Sequence, residues 1–250
     1  MDKKRGYEQK KRFFDSLITL YGRHVVLEVL KDSDIDIHAL HLSLSNKDEG
    51  AIKRIKRIAA DRGVRIEYHE KRKLSFISKN AKQDQGVAID IVADNYRPIE
   101  ALHVSEDRAQ RFLALDAIQN PQNLGMIIRS AAAGNIDGII LGYKRSAKLS
   151  PLVMKASAGT MFKIPIYRCD ELPDALAKLP LKKYLLSSYA DNDIYDFDAQ
   201  NGAIFVLGNE SEGVSQSVAN VCDASLRIPM RRGVESLNVA ATATILSFLR

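Results

Sequence analysis

Apolar positions along this chain fall in short blocks, and the spacing inside each block names the element it would form. In VVLEVL, residues Val25, Val26, Val29 and Leu30 recur at helical spacing. Residues 36–44 read as a strand. Across 47–62 the apolar Ala51, Ile52, Ile55, Ile58 and Ala59 share one face and basic residues occupy the other, which predicts a helix with a cationic solvent side. Residues 64–68 predict a strand, 73–79 a short helix, and VAIDIV (87–92) an alternating strand. These elements make one small α/β domain over 17–94. The pattern is lost across 95–110, where Pro98 and alternating charges read as a linker ending near Arg108.

A different rhythm begins at RFLALD (111–116), a short apolar strand. Asn120 can cap the next helix, and Pro121 sits at its first position, where a missing N–H costs nothing. Leu124, Ile127, Ile128 and Ala131 form that helix's buried face, with Arg129 almost opposite. Strands over 138–141, 164–167, 183–187 and 203–207 alternate with helices over 151–157 and 171–178. Such alternation argues for a largely parallel sheet with helices on both faces, so the fold class is α/β with a second domain over 111–250. The chain closes on RIPMRRGVESLNVAATATILSFLR, a strand end at Leu226 and Ile228, a glycine loop and an Ala-rich helix. Ser236 is the expected N-cap, with Leu237, Ala240, Ala241, Thr244, Ile245 and Phe248 on the buried face. Taken alone, this stretch also fits an ordinary strand, loop and capped helix.

The 250 residues are 46% hydrophobic and 27% charged, enough apolar material for two modest cores. No apolar run approaches the roughly 18 to 20 residues of a membrane span, and no apolar segment follows the Met-Asp-Lys-Lys-Arg-Gly start, so a cytoplasmic protein without a membrane partner is expected. Cys169 and Cys222 stand far apart and outside any metal spacing; both read as packing residues, and no metal site is expected. The net charge of +6 is concentrated early. Lys3, Lys4, Arg5, Lys10, Lys11 and Arg12 fill a basic tail over 1–16, and Lys53, Arg54, Lys56, Arg57, Arg62, Arg65, Lys71, Arg72 and Lys73 follow. Such clusters suit a solvated face or a nucleic-acid backbone, where each phosphate contact releases a counterion. His24, His38, His41, His69 and His103 all precede the second domain, which therefore has no imidazole.

In AIFVLGNESEGVS (203–215) an apolar strand stops at Gly208 and a loop carries Asn209, Glu210, Ser211 and Glu212. A glycine at that strand end lets a ligand approach the backbone. Two carboxylates and the lack of a Walker lysine make the loop a poor phosphate cradle, and no Gly-x-Gly-x-x-Gly follows a strand. A nucleotide-dependent oxidoreductase is thereby disfavoured. A neutral or cationic ligand with an adenine-like apolar part fits better, held by the Gly208 loop and by Ile228, Met230 and Leu237.

NPQNLGMIIRSA (120–131), LGNESEG (207–213) and IPMRRGVESLNVAATA (228–243) closely resemble, in order and spacing, the three motifs of the SpoU (TrmH-like) RNA ribose methyltransferases of the SPOUT superfamily. The resemblance spans the second domain; the first is similar to that family's accessory RNA-binding domain, with a ribosomal-protein-like fold. It implies S-adenosylmethionine as methyl donor, a homodimer, a trefoil knot in the C-terminal segment, and transfer to an RNA 2'-hydroxyl, with ribosomal RNA ahead of transfer RNA and no DNA partner. By motif the cofactor pocket maps to Leu207, Gly208, Ile228, Met230, Ser236 and Leu237, and the polar active-site positions to Asn123, Arg129, Glu210, Ser236 and Asn238. The family often has Thr where this chain has Ser130. It also points to Arg129 as the residue that activates the hydroxyl. A guanidinium with a pKa above about 12 is a poor base, so positioning of ribose and phosphate is the expected role. A non-catalytic RNA-binding or assembly factor of the same fold is the reading from another functional class.

Overall fold

A computed structural model of the chain describes residues 17–33, 35–92, 96–197 and 202–249. The basic tail over 1–16 lies outside this set. The described residues of Met1–Asp94 and Leu149–Lys155 cluster as one compact unit, and those of Asn95–Lys148 and Ala156–Arg250 as a second.

The first unit holds a four-stranded sheet in the order β1 (Leu17–Tyr21), β4 (Val87–Val92), β2 (Asp36–Ser43), β3 (Ile66–His69). β4 runs antiparallel to both its neighbours, and β2 and β3 are parallel. Helices α1 (Arg23–Lys31), α2 (Gly50–Asp61) and α3 (Lys71–Ser78) accompany it. The amphipathic patterns reach the core as their spacing requires: Val26, Val29 and Leu30 of α1 and Ile52, Ile55 and Ala59 of α2 are buried. Lys53, Arg54 and Arg57 stay exposed on the opposite face of α2.

Arg62 departs from that basic surface. Its guanidinium donates to the carbonyls of Val29, Leu30 and Asp32 at 3.2, 3.1 and 2.8 Å, and to Ile35 at 2.8 Å. The last carbonyls of a helix have no partners within it, and a cation there also meets the negative end of the helix dipole. Arg62 is thus a cap for α1 supplied from the end of α2, a role that a count of basic residues conceals.

The second unit is built on eight strands ordered β10 (Asn192–Asp193), β12 (Ala224–Arg227), β9 (Lys183–Leu186), β11 (Ala203–Leu207), β6 (Arg111–Leu115), β7 (Gly138–Gly142), β8 (Ile166–Cys169), β5 (Tyr96–Pro98). Every pairing is parallel. The central strands read as unbroken apolar runs because both their faces are covered. Phe112, Ala114, Ile140, Ile204 and Val206 pack with Leu172, Ala175 and Leu176 of α6 (Leu172–Lys178) and Val218 of α7 (Gln216–Ala219). The alternate residues Leu113, Leu115, Ile139 and Phe205 are fully buried on the other side. The remaining helices of this unit are α4 (Pro121–Ala133) and α8 (Val239–Ser247), which pack against each other; α5 (Pro151–Ala156) clusters with the first unit except for Ala156.

Two expectations change here. Within the stretch read as a linker, Tyr96–Pro98 is the edge strand of the large sheet and Leu102 enters its core. A proline is tolerated at a sheet edge, where its missing donor faces no partner. Tyr96 is further held by the Arg168 guanidinium, 4.1 Å from its ring centroid. In α8 the buried face is Val239, Ala240, Ala243, Leu246 and Ser247, so Ala241, Thr244 and Phe248 of the expected face are exposed. The helix is apolar nearly all round, and its spacing could not fix which side turns inward.

Candidate functional site

β11 delivers Leu207 to the carboxyl edge of the sheet, where the Leu207 carbonyl accepts from the Asp116 amide at 2.8 Å. The chain then turns at Gly208. A Cβ on Gly208 would lie 2.1 Å from the Gly213 carbonyl carbon and 2.2 Å from the Val214 nitrogen. What approaches this glycine is therefore the chain's own backbone, so its first requirement is loop closure rather than contact with a ligand. Asn209 and Gly213 exchange backbone hydrogen bonds at 3.0 and 2.9 Å. The Asn209 side chain donates to Ala117 O at 3.1 Å and accepts from Ser211 N at 2.8 Å. Arg145 pairs with Glu212 at 2.9 Å.

This stapled loop forms one wall of a cavity of about 530 Å³, a volume suited to a small organic ligand. It opens beyond the carboxyl ends of β9 and β11, where parallel sheets place their ligands. Leu207, Gly208, Ile228, Met230, Ser236 and Leu237, the six cofactor positions implied by the motifs, all line it. So do residues 185–189, Val214 and Thr242, which the sequence reading missed. A signal existed for the first group: LLSSY leaves the end of an apolar parallel strand, the same position that drew attention to Gly208. The lining includes Glu210, Glu212 and Glu235 and no Lys, Arg or His. Such a wall repels an anion and accepts a cation.

Asn123 on α4 donates through Nδ2 to Glu210 Oε1, and Asn238 Nδ2 donates to Asn123 Oδ1 at 3.3 Å. Asn123 is buried, while Glu210 and Asn238 are exposed. Three of the expected polar positions, distant in sequence, thus meet in one hydrogen-bonded chain, and Glu210 also borders the cavity. α4 begins as its sequence predicts, with the Asn120 side chain accepting from Gln122 N at 2.8 Å and Pro121 in the first turn. Arg129 lies exposed on the same helix, outside the cavity lining, and its guanidinium makes no hydrogen bond or ion pair among the described residues.

Ser236 lines the cavity but does not cap α8 as expected. The cap is Asn238, whose Oδ1 accepts from Ala240 N at 2.8 Å. Both are good capping residues, and only the helix start, one residue after Asn238, distinguishes them. Neither cysteine supplies a nucleophile: burial pushes the Cys169 thiol up to about 12 and that of Cys222 up to about 11, helped by Asp170 and Asp223 respectively.

Comparison with known proteins agrees with this geometry. The model described as the SpoU rRNA Methylase family matches residues 110–248, and that described as RNA 2'-O ribose methyltransferase substrate binding matches residues 19–97. An "Uncharacterized tRNA/rRNA methyltransferase" of Mycolicibacterium vanbaalenii is 32% identical over 241 residues, covering 94% of this chain and 76% of the relative. A "Putative TrmH family tRNA/rRNA methyltransferase" of Staphylococcus saprophyticus is 30% identical over 239 residues, covering 92% and 94%. Among solved structures, the SpoU methyltransferase AviRb of Streptomyces viridochromogenes in complex with AdoMet superposes with a TM-score of 0.70 at 22% identity, over 95% of this chain and 90% of that one, a likeness of fold. With the methylase match running from β6 into the last described turn of the chain, and the substrate-binding match covering the smaller sheet, the chain belongs to the SpoU family of RNA methyltransferases.

Proposed function

We propose that this protein is an S-adenosylmethionine-dependent RNA 2'-O-ribose methyltransferase acting on ribosomal RNA. The observation that carries the reading is the cavity at the sheet edge, walled by apolar side chains and carboxylates, whose Glu210 is tied to Asn123 and through it to Asn238. Leu186, Ile228, Met230 and Leu237 offer apolar surface for an adenosine, and the backbone around Gly208 offers polar groups. The absence of cationic side chains from the lining suits a donor whose sulfur is positive. When bound, S-adenosylmethionine supplies a methyl group made electrophilic by that charge.

The chain's own residues then have to orient the acceptor. Asn123 holds the Glu210 carboxylate in place, and Asn238 holds Asn123. Arg129, exposed and unpaired among the described residues, is free to bind the ribose and its phosphate and to stabilise charge on the 2'-oxygen. The hydroxyl proton leaves to water or to a neighbouring phosphate. Orientation alone can lower a barrier by about 7 to 11 kcal/mol, so a strong base is not required. The smaller unit grips RNA through Lys53, Arg54, Arg57, Lys71, Arg72 and Lys73, all exposed.

Three further parts of the reading have support of their own. A homodimer is favoured by large apolar side chains left exposed on α4 and just beyond α8, Met126 at 42% and Phe248 at 54%. A threaded, knotted C-terminal segment is favoured by its path. Ile228, Met230, residues 235–237 and Val239 share the cavity wall with the 207–214 loop, and the Ser247 carbonyl then accepts from Asn135 N at 2.6 Å. A cytoplasmic location follows from the RNA substrate; among the described residues no helix is long and apolar enough to cross a membrane.

Arg129→Ala and Arg129→Lys test the reading. Both should keep wild-type affinity for S-adenosylmethionine, because Arg129 does not line the cavity, while turnover falls about 10²- to 10³-fold, as for loss of a donor to a developing oxyanion. Near wild-type turnover in Arg129→Lys would remove the guanidinium-specific role.

A further inference from the structure

The smaller unit contains a cluster of side chains for which RNA binding gives no reason. His41 on β2 and Glu67 and His69 on β3 project from the same side of the parallel pair, Glu67 and His69 being two residues apart on one strand. Their nearest ligand atoms form a triangle: His41 Nδ1 lies 2.9 Å from His69 Nε2, and Glu67 Oε2 lies 3.6 Å from each. Both imidazoles are buried, and the Glu67 side chain is partly open to solvent.

The dimensions are those of a metal-binding face. With zinc-to-ligand bonds of about 2.0 to 2.2 Å, tetrahedral geometry places neighbouring donor atoms about 3.4 Å apart. The three observed edges straddle that value, and an opening of the imidazole pair by about 0.7 Å, from 2.9 to 3.6 Å, would equalise them. The donor set of two imidazoles and one carboxylate is suited to a tetrahedral transition-metal ion, with the open side of Glu67 leaving room for water as a fourth ligand.

The surroundings orient the donors as well. His41 Nε2 is 3.0 Å from Asp90 Oδ2 on β4, and Asp90 Oδ1 accepts from Thr19 Oγ1 on β1 at 2.6 Å. A carboxylate on the far nitrogen of a histidine fixes its tautomer, so the His41 Nδ1 lone pair faces His69 Nε2, which donates to it at 2.9 Å, and a metal would take that proton's place between the rings. The remaining Glu67 oxygen is held by Arg65 Nη2 at 2.5 Å, so Oε2 is the one turned to the histidines. A hydrogen-bonded histidine pair is satisfied by Asp90 alone, whereas a carboxylate oxygen at equal distance from both rings adds a third donor that the pair does not need.

We propose that His41, Glu67 and His69 form a binding site for a divalent transition-metal ion of zinc type, with Asp90 as the positioning residue behind His41. The ion joins β2 to β3 directly and, through Asp90, to β4, and so braces the sheet of the smaller unit.

The test uses the full chain, stripped with a chelator and titrated with Zn²⁺ alone by calorimetry, then with Co²⁺ by visible absorption. The expected result is one equivalent bound, a rise in Tm with the metal, and the absorption of tetrahedral cobalt. His69→Gln and Glu67→Gln, each compared with its own metal-free Tm, should lose the cobalt spectrum and stoichiometric binding. Asp90→Asn should weaken binding about 10- to 100-fold. Because His69 is buried, Glu67→Gln, at the partly open corner, is the second variant, with circular dichroism as the folding control for both. Failure of the wild-type chain to bind one equivalent would overturn the proposal, as would binding unaltered in folded Glu67→Gln and His69→Gln, which would place the metal elsewhere.

Discussion

Arg62 and Gly208 show how differently a residue can act from what its type suggests. Arg62 belongs by composition to a basic surface, yet its guanidinium is spent on four backbone carbonyls around the end of α1. Hydrogen bonds to charged groups contribute about 1.5 to 3 kcal/mol, so Arg62→Met should lower the unfolding free energy by about that amount in a urea titration. Lys53→Gln, Arg54→Gln and Arg57→Gln together should leave stability nearly unchanged and reduce the salt dependence of RNA binding. Gly208 belongs by position to a ligand loop, yet the atoms pressed against it are those of Gly213 and Val214. Gly208→Ala should therefore weaken S-adenosylmethionine binding in calorimetry by opening the loop. The cysteines give a chemical check at the same scale. With burial raising Cys169 to about 12 and Cys222 to about 11, the thiolate is scarce at pH 8, and both should react with a thiol reagent far more slowly in the folded chain than in denaturant.

Among the elements, α4 and α8 approach each other closely. Gly134 ends α4, and a Cβ there would sit 2.2 Å from the Ser247 carbonyl oxygen. Gly134→Ala should force the helices apart and cost about 1 to 3 kcal/mol, measured as a fall in unfolding free energy. These helices also show where the sequence was readable. α4 announces itself through Asn120, Pro121 and a clear apolar face, and each signal appears in the structure. The strands of the large sheet are legible as apolar runs for the same reason: burial on both faces admits nothing else. α8 gave its existence but not its phase, because Ala, Thr, Val, Ile and Leu surround it on all sides and only packing against α4 chooses one. β5 was hidden by its proline and charges, and the Arg62 cap by a lack of any local pattern. At the site, the motif residues were legible one by one, whereas the link from Asn238 through Asn123 to Glu210 joins three separate segments and exists only after folding.

At the scale of the whole molecule, the reading combines an RNA-gripping unit, a donor cavity and a surface for a second copy. The exposed Met126 and Phe248 predict that Phe248→Asp shifts the chain from dimer to monomer in light scattering, with little change in the circular dichroism of each chain. The cavity and the Asn123–Glu210–Asn238 chain make the central claim chemical rather than architectural. Its most direct test is transfer of labelled methyl from S-adenosylmethionine to unmodified ribosomal and transfer RNA, followed by alkaline hydrolysis. A 2'-O-methyl blocks cleavage at its own linkage, so the account predicts label in alkali-resistant dinucleotides from ribosomal RNA. Label released as mononucleotides, or no transfer to either RNA by a protein that binds the donor, would contradict it.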